Sequence, residues 1–140
     1  MGIERCFASG LLISDKFFDF KYGYVEGRFK LPATRGSWPA FWLLGNDPSQ
    51  PTKDKAHEWP PEVDIFEFFG HRPTKHSAGI LVKKGESLPW HFGYNEVGHD
   101  ITKDFHTWAM EWNENEIALL FDNKIWARSN ITVCGDQCIY

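Results

Sequence analysis

No apolar run in this 140-residue chain approaches the roughly 20 residues of a membrane span; Trp38 to Leu44 is far too short. Basic charge is also missing as a block. The formal net charge is −4 and Lys and Arg are dispersed, so there is no basic stripe and nucleic acid is not an expected partner. Cysteine is scarce and odd in number: Cys134 and Cys138 can close a small loop and leave Cys6 free, which implies no disulfide framework. The Cys134–Cys138 pair has no partner ligands for zinc. His57-Glu58 is followed by Pro61 and by no second histidine, so a zincin helix is excluded, and neither a nucleophile elbow nor a phosphate-binding loop occurs. Met1-Gly2-Ile3-Glu4-Arg5 leads straight into strand-like sequence, and no signal peptide is expected to open it. Repeats, low-complexity tracts and long helical patterns are absent as well.

Aromatic residues are what the chain has in abundance: 7 Trp, 12 Phe and 4 Tyr. Packing in a core is the default for any one of them, although so many rings also suit a cleft for flat ligands. The length predicts a single domain over residues 1–140 with a real core. Alternation predicts a first strand over 7–15 and a long one from Tyr22 to Leu31. On the latter, Tyr24, Glu26, Arg28 and Lys30 share one face and Val25, Gly27, Phe29 and Leu31 the other. Trp38 to Leu44 is apolar on both faces and is expected to lie centrally in a sheet. A long loop over 45–61 follows, then strands over 77–83 and 90–94. Phe105 to Trp112 and Glu116 to Phe121 read as a hairpin, with a tight turn at Asp122-Asn123 returning through Ile125-Trp126. The architecture expected is all-β and mostly antiparallel.

The chemistry concentrates in Pro61-Glu62-Val63-Asp64-Ile65-Phe66-Glu67-Phe68-Phe69-Gly70. Three acids interrupt a run that otherwise reads as a buried strand, and an ionised acid in an apolar setting is costly unless paired. Side chains alternate along a strand, so Glu62 and Asp64 point one way while Glu67 has the wrong parity to join them. A one-residue bulge near Ile65 and Phe66 restores it, and bulges are common beside active sites. Glu62 and Glu67 would then be about four strand steps, or roughly 13 Å, apart at Cα. Leaning side chains can close much of that toward the ~5–5.5 Å between carboxyl groups that a retaining glycosidase uses.

Four ordered blocks surround this stretch: Tyr22 to Pro32, Gly36-Ser37-Trp38-Pro39-Ala40-Phe41-Trp42-Leu43-Leu44-Gly45, Trp59 to Glu67, and Asp104 to Trp112 with Phe121-Asp122-Asn123-Lys124. In order and spacing they resemble glycoside hydrolase family 16, over roughly residues 8 to 126, on its laminarinase, agarase and carrageenase side. The resemblance implies an antiparallel β-sandwich (jelly roll, concanavalin A-like) with a substrate cleft on a concave sheet. It implies fewer strands here than the family uses, at both ends. It casts Glu62 as nucleophile, Asp64 as the group that orients it and Glu67 as acid/base, whose pKa crowding with the other two acids should raise. Glu26 and Arg28, on a strand taken to neighbour the acidic one, match the family's cleft-lining pair. Trp38, Trp42 and Trp59 are candidates to stack on sugar rings, and His76 for the leaving-group side; His106 fits the motif, but parity sets it beside Trp108 and Trp112 as a core histidine. No metal is required by such chemistry. A structural calcium is common in the family, but this chain offers it no clear ligands.

The activity so implied is retaining endo-hydrolysis of a β-linked polysaccharide, first of all a β-1,3- or β-1,3-1,4-glucan, by a protein secreted from the cell. The same resemblance leaves open a bacterial exopolysaccharide or galactan hydrolase, or a transglycosylase. A carbohydrate-binding module on the same sandwich, or an inactive fragment of it, is the alternative from another class, and a purely structural domain a third. Oligomeric state is left open.

Overall fold

The computed structural model describes residues 8–14, 17–45, 58–83 and 86–130, with the side chains of 58–60 and 82–91 excepted. Cys6, Cys134 and Cys138 lie outside the described residues. The described residues form eight strands: β1 (Gly23–Phe29), β2 (Ala40–Gly45), β3 (Glu58–Glu67), β4 (Lys75–Lys83), β5 (Glu86–Glu96), β6 (His106–Trp112), β7 (Ile117–Phe121) and β8 (Lys124–Ser129). They form two four-stranded antiparallel sheets, ordered β2-β3-β4-β5 and β1-β6-β7-β8. No described helix is long and apolar enough to cross a membrane.

The sheets meet over a core that each strand supplies by alternation. Val63, Ile65, Phe66 and Ile80 from one sheet, and Trp108, Met110, Ile117 and Leu119 from the other, are each at most 1 % exposed. Burying a side chain of this size contributes about 1.5–3 kcal/mol. Phe66 and Trp108 join the layers with ring centroids 4.4 Å apart. Two turns follow from local chemistry. Asp122 and Asn123 adopt φ of 46° and 63°, the pair of left-handed residues that a tight hairpin turn needs and that Asp and Asn tolerate. Gly70, just after β3, lies so close to the 34–37 turn that a Cβ there would sit 2.1 Å from Thr34 O.

Three expectations are corrected. Residues 8–14 form no strand; their weak alternation finds no sheet partner among the described residues, and Leu12 is fully exposed. β2 is an edge strand of its described sheet rather than a central one. β1, expected beside the acidic strand, pairs with β6 in the opposite sheet. The edges of β1 and β2 therefore face one another across the layers, with Phe29 and Phe41 at 5.3 Å. A cavity of about 760 Å³ opens there, lined by Val25, Glu26, Phe29, Phe41, Trp42 and the 10–14 segment among others.

Candidate active site

β3 carries the three acids, and its pairing determines where they point. Glu62 stands opposite Leu44 and Leu81, Asp64 opposite Trp42 and Gly79, and Glu67 opposite Ala40 and Ser77. Between Asp64 and Glu67 the strand spends three residues where each neighbour spends two, which is a β-bulge. Ile65 and Phe66 are consecutive, yet both are 1 % exposed and both face the core. The parity of Glu67 is thereby reset, and all three carboxylates share the outer face of the β2-β3-β4-β5 sheet. Small residues opposite them, Ala40, Ser77 and Gly79, leave that surface low.

The carboxyl groups are unequal. Asp64 and Glu67 are 9 % and 8 % exposed, whereas Glu62 is half-buried. Burial first, then the charges of Glu62 and Glu67, push the Asp64 carboxyl from its ordinary 3.8 up to about 8. Asp64 is thereby biased toward its protonated form, in which it can donate in its hydrogen bond with Glu62. Glu67 is also raised. Burial is again the largest cause and the Glu62 charge adds to it, while a hydrogen bond from Trp38 works in the opposite direction. An acid biased toward its protonated form beside a second carboxyl on the same face is the pairing that double displacement at a glycosidic carbon uses.

The other expected residues are distributed as follows. Trp38 Nε1 donates to Glu67 Oε1 at 2.9 Å, and the indole stacks on Phe69 at 5.4 Å and 27°. Trp42 stands opposite Asp64 on the same face, 37 % exposed. Trp59 lies in β3, but its side chain is outside those described. Glu26 and Arg28 do not join the acids from a neighbouring strand. Val25 and Phe29 take the core side of β1, which turns Glu26 and Arg28 to the outer surface of the opposite sheet. There Glu26 accepts a hydrogen bond from Tyr24, and the Arg28 guanidinium lies 4.4 Å from the centre of the Phe105 ring. Glu26 still reaches the β1/β2 cavity that Trp42 also lines.

His76 is corrected outright: it is 1 % exposed on the core side of β4, packed on Trp108, Phe121 and Trp126. Its neighbour Ser77 takes the acid-bearing face, so alternation sends His76 inward. Burial lowers its pKa to about 4, and Asn95 Nδ2 sits 3.1 Å from Nε2 as the donor to a neutral ring. His106 is half-buried against Trp108 and Phe121, with Nδ1 2.7 Å from Asp122 Oδ2. Phe69, Arg72 and Tyr94 were missed from sequence. Tyr94 stands opposite Ser77 and so shares the face of Glu67, and Arg72 donates to its hydroxyl at 3.3 Å. Only the pairing of β4 with β5 reveals this. No three His, Cys, Asp or Glu side chains among the described residues are grouped to hold a metal.

Comparison with known proteins gives one consistent result. The model for glycosyl hydrolases family 16 matches residues 4–132. The endo-1,3-1,4-beta-glycanase EglC of Rhizobium meliloti is 33% identical over 124 residues, 89% of this chain and 24% of the relative. A beta-glucanase of Rhodothermus marinus is 32% identical over 130 residues, 89% of this chain and 43% of the relative. Among solved structures, the laminarinase catalytic domain of Thermotoga maritima superposes with a TM-score of 0.66 at 30% identity, over 82% of this chain and 45% of the other. The chain thus spans from about a quarter to just under a half of the length of these relatives.

Proposed function

The chain belongs to glycoside hydrolase family 16, and from that membership we propose that it is the acid-bearing part of a retaining endo-glycosidase for β-1,3- or β-1,3-1,4-linked glucan. The single observation that carries the proposal is the bulge between Asp64 and Glu67, which sets the first and last acids of the motif on one face. Glu62 is the nucleophile. In the first step its carboxylate bonds to the anomeric carbon as the glycosidic C–O bond breaks, and Glu67 gives its proton to the departing oxygen. In the second, water attacks the same carbon, Glu67 takes the water's proton and the bond to Glu62 breaks. Asp64 orients Glu62 through the hydrogen bond between them, and while protonated it adds no third negative charge. Trp42 offers a partly exposed ring at the Asp64 level for a sugar face.

The relative named a beta-glucanase and the neighbour named a laminarinase motivate the choice of glucan. Action outside the cell is part of the proposal, because a polymeric substrate has to be met where it lies. The test is release of reducing sugar from laminarin, lichenan, agarose and carrageenan by the chain and by Glu62→Gln. Cleavage of laminarin or lichenan that Glu62→Gln abolishes supports the reading. Binding of either glucan without turnover by both proteins favours a carbohydrate-binding module, and cleavage confined to agarose or carrageenan replaces glucan with galactan.

A further inference from the structure

Trp38 has so far figured as a ring for a sugar to lie on, but its contacts suit a different task. The indole Nε1 is committed to Glu67 Oε1 at 2.9 Å, and one ring face is committed to Phe69 at 5.4 Å. The segment that carries it is clamped to the end of β3. Phe68 N donates to Pro39 O at 3.0 Å and Gly70 N to Ser37 O at 3.1 Å, bracketing Trp38 in sequence. The turn before it is closed by Ser37 N and Ser37 Oγ, both donating to Thr34 O at 3.0 and 2.7 Å. Gly70 lets the two segments approach this closely, since a Cβ there would collide with Thr34 O and Ser37 Oγ. Trp38 remains 63 % exposed, so burial does not account for this fixing of the ring.

We propose that Trp38 is a positioning residue for Glu67, holding one carboxyl oxygen in place and favouring its ionised form. The proposal rests on the reading of Glu67 as acid/base. An indole N–H can only donate, so its bond is stronger to a carboxylate than to a carboxylic acid. Burial and the Glu62 charge bias Glu67 toward keeping its proton, and Trp38 opposes both. The two steps need opposite states of Glu67: protonated to release the leaving group, ionised to accept the proton of water. The indole therefore serves chiefly the second step, hydrolysis of the Glu62–glycosyl bond.

The test is a ¹³C titration of the Glu67 carboxyl in the full chain and in Trp38→Phe, with Glu67→Gln to assign the resonance. The midpoint is expected to move upward in Trp38→Phe and to return in part with Trp38→His, which keeps a ring donor. An unchanged midpoint in Trp38→Phe overturns the proposal. The wild-type protein gives an independent reading should that variant fail to fold: the Trp38 indole N–H resonance is expected to shift through the same midpoint as Glu67, and a pH-invariant resonance overturns it. With an activated aryl glucoside, Trp38→Phe is expected to slow the second step roughly tenfold relative to the first, seen as accumulated glycosyl-enzyme. Equal slowing of both steps contradicts the assignment. The titrations need no turnover, so they stand even if no glucan is cleaved, an outcome that would count against the proposed function alone.

Discussion

The two faces of the β3–β4 pair place ionisable groups within one ladder position of each other and treat them in opposite ways. On the outer face, Glu67 stands across from Ser77; on the inner face, the next residue, His76, is sealed among Trp108, Phe121 and Trp126. Desolvation acts on both. It biases the outer carboxyls toward the protonated form, reinforced by their mutual repulsion, and it strips the inner imidazole of its charge. Burial disfavours the charged form of both, but only the outer carboxyls have ionisable neighbours that contest the proton. A proton that is contested can be moved in a reaction; one removed by burial alone leaves a packing residue.

The contrast is broken most directly by substituting across it. Glu67→Gln is expected to lower kcat on a glucan by roughly 10²–10⁴-fold, the usual scale for a lost general acid/base. His76→Leu is expected to keep kcat per folded molecule within a few-fold, measured on the same glucan. A loss in His76→Leu comparable to that in Glu67→Gln would erase the distinction between the faces.

The bulge itself predicts a stability pattern. Both Ile65→Ala and Phe66→Ala should destabilise, by about 2–5 and 3–5 kcal/mol, since both side chains are in the core. A regular strand would leave one of the two facing the acids and nearly neutral to substitution. Urea unfolding of the two variants decides between these.

The two faces should also tilt stability against pH in opposite directions. Folded Asp64 keeps a proton that the unfolded chain releases above 3.8, so its contribution to stability falls as pH rises from there toward about 8. Folded His76 refuses a proton that the unfolded chain takes up below 6.5, so stability falls as pH drops from there toward about 4. Asp64→Asn should flatten the urea-midpoint profile between pH 6.5 and about 8, where Asp64 acts alone, and His76→Leu should lower its slope between about 4 and 6.5, where the two oppose each other. The reverse assignment, or no change in either slope, would mean that the two environments are not as described. The smallest effect belongs to Arg28→Gln: on the outer surface of the opposite sheet, it should change glucan cleavage less than twofold, and a large rise in KM would return Arg28 to the substrate path.

Much of this was legible in the residues because the signals were local. The parity conflict at Glu67 called for a bulge, and Ile65 and Phe66 were the apolar pair able to absorb it. Asp122-Asn123 announced its turn through residues that tolerate positive φ. What stayed hidden depends on pairing between distant strands. Nothing in Tyr22 to Leu31 says that its partner is β6 rather than the acidic strand, so Glu26 and Arg28 were set beside the wrong neighbour. Which face of β4 meets the core cannot be read from Lys75 to Lys83 alone, and His76 was misplaced for that reason. The Trp38–Glu67 bond depends on the close approach that Gly70 permits to the 34–37 turn, a contact between segments about 30 residues apart in the chain.

The central claim is that Glu62 and Glu67, brought onto one face, work as a nucleophile and an acid/base pair. A 2-deoxy-2-fluoro glucosyl donor with a good leaving group tests it most directly, since the fluorine slows breakdown of a covalent intermediate. Peptide mass mapping of the treated protein should find one glycosyl adduct, on Glu62, and none in Glu62→Gln. An adduct on another residue, or glucan cleavage that forms no adduct and yields product of inverted anomeric configuration, would contradict it.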